Sequence, residues 1–367
     1  MADKARVRDE ATRFLTFFEG HGACVVEADI LQPAETLLDL YGEDIRARAF
    51  VTHDPDLGEM MLRPDFTVPV VQMHMAEGAE PARYAYMGEV FRAQDETRHR
   101  ASEYFQVGYE VFDRAAPIEA DAEVFALLKE VLAPLNLRAA TGDMGLLLAA
   151  VRGLRTTERR KSALLRHIWR PRRFRALIDR FAGRAPLPDG RAQLLVADDP
   201  FDADTPHIGL RSPSEIAERV AALHEDAAAA PISAQEVELL DDLLGLRETT
   251  ANVLEHLRDI AVDMPAIAAA VDRLEARAEA LERRGVDVAR LDFEGSYGRT
   301  SMEYYDGFVF GFYSETRPDL PPVATGGRYD ALTRVLGNQN GDRRDIPAVG
   351  GVIRPELTLE LTGEAGQ

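Results

Sequence analysis

Residues Phe91 to Phe112 read FRAQDETRHRASEYFQVGYEVF. The run Glu103–Phe112 is rich in aromatic and β-branched residues, and so is Tyr84–Arg92 before it. Two such runs joined by a charged stretch predict an antiparallel hairpin. Side chains alternate along a strand, so Gln106 and Glu110, four apart, share a face and direct an amide and an acid into one pocket. Outward from the hairpin, Val7, Ala11, Phe14, Leu15 and Phe18 recur at helical spacing over Lys4–Glu19. Short strands are expected at Phe50–Thr52 and Met60–Leu62 around the turn Asp54–Gly58, and DAEVFALLKEVL fits a helix over Ala120–Leu132. The pattern predicts an α+β fold, an antiparallel sheet core flanked by helices.

From about Gly142 to Arg284 the sequence turns helical. Ser212 precedes Pro213 and Glu215, and Ser233 precedes Glu236. In each case a hydroxyl can cap an early N–H while a carboxylate reaches back, which marks two helix starts. Ala182–His207 is rich in Pro, Gly and Asp and reads as a long exposed connection. Strand-like sequence returns at Val288–Glu294 and Tyr304–Tyr313. The expected organisation is a sheet core in two parts, 1–141 and 288–367, with a mainly helical insertion over 142–287.

A chain of 367 residues, 46% hydrophobic, has ample material for a packed core. It has neither a long apolar run nor a signal-peptide start, so a cytoplasmic protein is expected, with no membrane association. The single cysteine, Cys24, excludes a disulfide framework and is expected to be a small buried residue. The eight histidines show no ligand spacing with one another or with carboxylates, so no metal site is expected. A net charge of −20 opposes a polyanionic partner such as tRNA. The exception is RHIWRPRRFR at Arg166–Arg175, which reads either as a surface for RNA or an acidic protein, or as a solvated helix face with Trp169 and Phe174 in the core.

Four further segments carry chemistry: LRPDFTVPV at Leu62–Val70, SYGRTSMEYYDGFVF at Ser296–Phe310, GGRYDALTRVLG at Gly326–Gly337 and IPAVGGVIRPELTLEL at Ile346–Leu361. Together with the hairpin, and in this order, they resemble the histidyl branch of the class II aminoacyl-tRNA synthetases over essentially the whole chain. The resemblance implies the class II sheet core. It also implies a histidine site: Asp65 and Thr67 at the amino group, Arg92 gripping a carboxylate or phosphate, Gln106 and Glu110 on the amino acid and its imidazole, and Tyr305 and Tyr329 in the side-chain pocket. Asp65 stands where the family has glutamate, and Phe66 replaces a glycine.

The departures fall on the ATP side. Gln94 replaces the glutamate that contacts adenine, and Ser102 replaces a second arginine although Arg100 is kept. Thr300 stands where an arginine stabilises the transferring phosphoryl group, with Arg299 one residue away and expected on the opposite face of an extended segment. Leu357 falls at the adenine-stacking arginine, and Arg354 three residues early. The chain reaches Gln367 soon afterwards, so no anticodon-binding domain is expected. This selective loss resembles the regulatory subunits of short-form ATP phosphoribosyltransferase. That family implies no turnover, no cofactor, a short catalytic subunit as partner, histidine as feedback effector, and dimers within a hetero-octamer. A histidine-adenylating or active histidyl-tRNA synthetase-like enzyme and a histidine-sensing or RNA-associated module are the alternatives.

Overall fold

The computed structural model describes residues 3–35, 49–93, 101–186, 188–197, 209–299, 304–339 and 345–363. Helix α1, Lys4–Gly20, begins at Asp3, whose side chain accepts the Ala5 N–H, and all five apolar residues of its expected stripe are buried. The hairpin forms from β5, Ala82–Phe91, and β6, Glu103–Phe112, with Tyr84 opposite Glu110 and Gly88 opposite Gln106. Beyond β6 lie β12, Ala348–Ile353, then β11, Ala324–Arg328, β10, Phe308–Tyr313, and β7, Arg138–Asp143. These six strands run antiparallel throughout. At the margins β1, Cys24–Val25, pairs parallel with β5, and β9, Asp292–Glu294, pairs parallel with β7, followed by β8, Arg247–Thr249. A separate three-stranded sheet, β2 Leu31–Pro33, β4 Gly58–Leu62 and β3 Val51–Asp54, carries the expected short strands.

The large sheet has two unlike faces. On one, Tyr109, Gly351, Gly326 and Phe310 stand side by side across four strands. Phe18 of α1 stacks on Tyr109 at 5.0 Å. Phe125 of helix α3, Pro117–Val131, sits 5.3 Å from both Phe310 and Phe312. Each fully buried aromatic of this kind is worth roughly 1.5–3 kcal/mol of transfer free energy. The opposite face carries the row Tyr84, Glu110, Gly350, Gly327, Val309 and Gly142. Glu110, Gly350 and Val309 of this row form part of the floor of a cleft. A Cβ on Gly350 would lie 1.4 Å from a Glu110 oxygen, so only a glycine leaves that carboxylate its place.

The helical sequence after β7 forms α4 Met144–Gly153, α5 Glu158–Arg166, α6 Pro171–Phe181, α7 Asp189–Val196, α8 Pro213–Ala228, α9 Ala234–Gly245, α10 Thr250–Asp263 and α11 Ala268–Arg283. Both expected capping boxes are present, Ser212 with Glu215 and Ser233 with Glu236. A buried ionic network fastens α11 to the sheet. Arg277 pairs with Asp121 at 3.2 Å and with Asp143, while Arg328 on β11 reaches Asp121 at 2.7 Å and Asp330 at 2.9 Å.

Four expectations are corrected. Cys24 is exposed, because β1 is an edge strand whose side chains face outward. The connection Ala182–His207 contains helix α7, held by a pairing of Arg191 with Asp226 on α8. Val288–Arg290 is a single 3-10 turn, so the strand is only Asp292–Glu294. Tyr304–Gly307 stays out of the sheet because the Asp306 carboxylate accepts the N–H groups of Asp330 and Ala331, at 2.9 and 2.8 Å, which open helix α12, Asp330–Gln339. Gln94, Arg100 and Thr300 lie outside the described residues.

Candidate functional site

The cleft over the glycine floor encloses about 1860 Å³, above the roughly 300–1,000 Å³ of a usual small-molecule site. Asp65, Thr67, Arg92, Gln106, Glu110, Tyr305 and Tyr329 all line it. Strand alternation places Gln106 and Glu110 on the cleft face of β6, both about 1% exposed. Glu110 is the centre of a hydroxyl cage: Tyr86 donates to its Oε1 at 2.7 Å, Thr67 to the same oxygen at 3.3 Å, and Tyr329 to Oε2 at 2.6 Å. Among the described residues no cation pairs with it. Burial pushes its pKa up to about 7, against the opposing pull of the three hydroxyls. The same burial, and the charge of Glu110, hold the Tyr86 and Tyr329 phenols well above their ordinary range.

Asp65 and Thr67 sit where the chain enters helix α2, Thr67–Glu77. The Asp65 Oδ1 accepts the Val68 N–H at 3.4 Å, so the residue supports the helix start as well as lining the cleft. Its other oxygen lies 3.7 Å from the Arg92 guanidinium, whose Nε donates to the Pro64 carbonyl at 2.8 Å. A carboxylate and a guanidinium thus stand side by side at one end. Gln106 Oε1 is buried and accepts no hydrogen bond from any described residue. Tyr305 packs against Tyr304, ring centroids 4.9 Å apart, and the Tyr304 hydroxyl donates to Thr67 at 3.5 Å.

Tyr86 and Tyr304 belong to this constellation without having been singled out in the sequence. The available signal for Tyr86 was its place opposite Gly108, where any Cβ would fall 2.1 Å from the tyrosine ring. The cleft is also lined by Ser296, Tyr297, Arg299, Leu357 and Arg354. Leu357 packs on the core, and Arg354 donates to the Pro322 carbonyl at 2.5 Å. Arg299 lies in a turn and not in an extended segment. Its Nε donates to the Ile168 carbonyl at 2.9 Å, and its guanidinium rests 4.8 Å from the centre of the Phe174 ring. Burial lowers its pKa to about 10.

A family profile described as histidyl-tRNA synthetase matches residues 2–198 and 216–356. The ATP phosphoribosyltransferase regulatory subunits of Brucella canis and Brucella ovis are each 31% identical over 360 residues, covering 93% of both chains in each comparison. Among solved structures, one described as an ATP phosphoribosyltransferase regulatory subunit/histidyl-tRNA synthetase from Bacillus halodurans aligns with a TM-score of 0.67 at 22% identity, covering 98% of this chain and 81% of that one. The histidyl-tRNA synthetase of Nostoc sp. aligns at 0.65 and 17% identity, covering 100% and 73%. These likenesses establish the class II synthetase-like α+β fold. Among the described residues no helix is long and apolar enough to cross a membrane. With its synthetase-type cleft and near full-length relatives, the chain belongs to the histidyl-tRNA synthetase-like family of ATP phosphoribosyltransferase regulatory subunits.

Proposed function

We propose that this chain has no turnover of its own, binds histidine in the cleft, and activates and feedback-inhibits a separate short catalytic subunit in the first step of histidine biosynthesis. The observation that carries the reading is Glu110, a fully buried carboxylate caged by three hydroxyls and, among the described residues, paired with no cation. An imidazole N–H or imidazolium completes such a cage, because a buried acid is stabilised by a hydrogen-bonded positive partner. Asp65 and Arg92 suit the ammonium and carboxylate of the same amino acid, and the free Gln106 carbonyl accepts a further N–H. Tyr305 and Tyr329 wall the ring.

Ser102, Leu357 and Arg354, with Gln94 and Thr300 in the sequence, support the absence of adenylation. A neutral hydroxyl at Thr300 supplies no charge to a transferring phosphoryl group. Feedback requires histidine to bind one state of the assembly more tightly, typically by about 1–3 kcal/mol of coupling. Self-pairing within a hetero-octamer is supported by apolar side chains left exposed around the small sheet and β1: Val25, Ile30, Leu31, Phe50, Val51 and Leu57.

Calorimetric titration of histidine into the chain tests the site. Saturable binding is expected, weakened at least tenfold in Glu110→Gln; equal affinity in that variant removes Glu110 from the pocket. Histidine-dependent exchange of pyrophosphate into ATP should stay at background. Robust exchange would replace the regulatory reading with an adenylating enzyme.

A further inference from the structure

The charge distribution around residues 166–173 runs against the rest of the molecule. The chain has 63 acidic and 43 basic residues, yet Arg166, Arg172 and Arg173 are exposed and make no ion pair with any described residue. Arg166 closes helix α5 and Arg172 and Arg173 open α6, and the two helices are joined by only four residues, 167–170. The His167 imidazole is held below its ordinary pKa by burial and then by the nearby charges of Arg173, Arg170 and Arg166. Helix α6 starts at Pro171 with no side-chain cap and no acidic residue in its first turn, where Arg172 and Arg173 sit instead. Cations at that end oppose the helix dipole, and an arriving anion relieves them. Arg175, by contrast, is already neutralised by Asp241 and Asp179.

We propose that Arg166, Arg172 and Arg173 form the docking surface for an acidic segment of the catalytic subunit, an inference that rests on the regulatory reading above. Protein fits better than RNA. Single-stranded RNA is held by aromatic faces interleaved with the cations, whereas here Phe174 is 2% exposed and Trp169 packs against the core. A net charge of −20 also repels an extended polyanion while leaving a short acidic segment free to meet one local patch. The surface is joined to the cleft. Ile168 and Phe174, within the same segment, hold Arg299 of the cleft wall, so a partner seated on these arginines bears on the element that carries Arg299.

The test is the triple charge reversal Arg166→Glu, Arg172→Glu, Arg173→Glu in the full chain, with unchanged histidine affinity as the check that the fold and cleft are intact. Binding to the purified short catalytic subunit is measured at low and high salt, beside binding to bulk tRNA. The expected result is at least a tenfold loss for the catalytic subunit, and wild-type affinity that falls with salt more steeply than that of the variant. Equal affinity in both proteins overturns the docking surface and leaves the regulatory reading standing. A loss of tRNA binding with the catalytic subunit still held overturns it in favour of nucleic acid. Failure of the wild-type chain to bind the catalytic subunit overturns the regulatory reading, and this inference with it.

Discussion

Glu110 stands on the cleft face of β6, about 1% exposed, with three hydroxyls around its carboxylate. Its direction follows from strand alternation with Gln106, which the hairpin sequence displays. Its chemistry depends on hydroxyls from Thr67 at the start of α2, Tyr86 on β5 and Tyr329 between β11 and α12, and no local pattern joins those positions. The carboxyl keeps its proton to about pH 7 in the folded chain against about 4.5 in the unfolded one. The folded state therefore binds more protons across that interval, and the contribution of Glu110 to stability, full below pH 4.5, is lost as pH rises toward 7. Each pH unit there costs up to about 1.4 kcal/mol. In the absence of histidine, Glu110→Gln should flatten this fall, measured as the difference in urea-unfolding free energy between the two proteins at pH 5 and pH 7.5. Parallel pH profiles for the two would show that Glu110 titrates normally.

Among the elements, helix starts were the most readable, because a capping box is a contract between residues three apart. Ser233 accepts the Glu236 N–H at 3.2 Å while the Glu236 carboxylate accepts the Ser233 N–H at the same distance. Ser233→Ala should cost about 1 kcal/mol, read as a shift in the chemical-denaturation midpoint with an unchanged slope. Helix α7 was not readable. It is held by Arg191 reaching Asp226, a partner on another helix, and its short helix-forming run 191–195 is obscured in the sequence by Pro186, Pro188 and Gly190 just before it. Tyr304–Gly307 likewise carries strand-forming residues, but Asp306 is committed to the start of α12 and draws the segment away from the ladder.

At the scale of the whole molecule, the buried network of Arg277, Asp121, Asp143 and Arg328 decides how the helical stretch after β7 sits on the sheet. Removing one member leaves opposite charges buried without their partner, so Arg277→Met should lower stability by about 3–5 kcal/mol. Thermal unfolding followed by circular dichroism checks this; a loss below 1 kcal/mol would show that α11 is held by apolar packing alone. Strand alternation, helical spacing and caps act over a few residues, so the α+β class, the order of its segments, the hairpin and the facing of Gln106 and Glu110 could be read from the chain alone. It took the packed fold to cage Glu110 with no cation beside it among the described residues, to set Gly350 against its carboxylate, and to lean Arg299 on the basic segment. Those outcomes depend on burial and on partners far apart in the chain, and desolvation is a property of the packed whole.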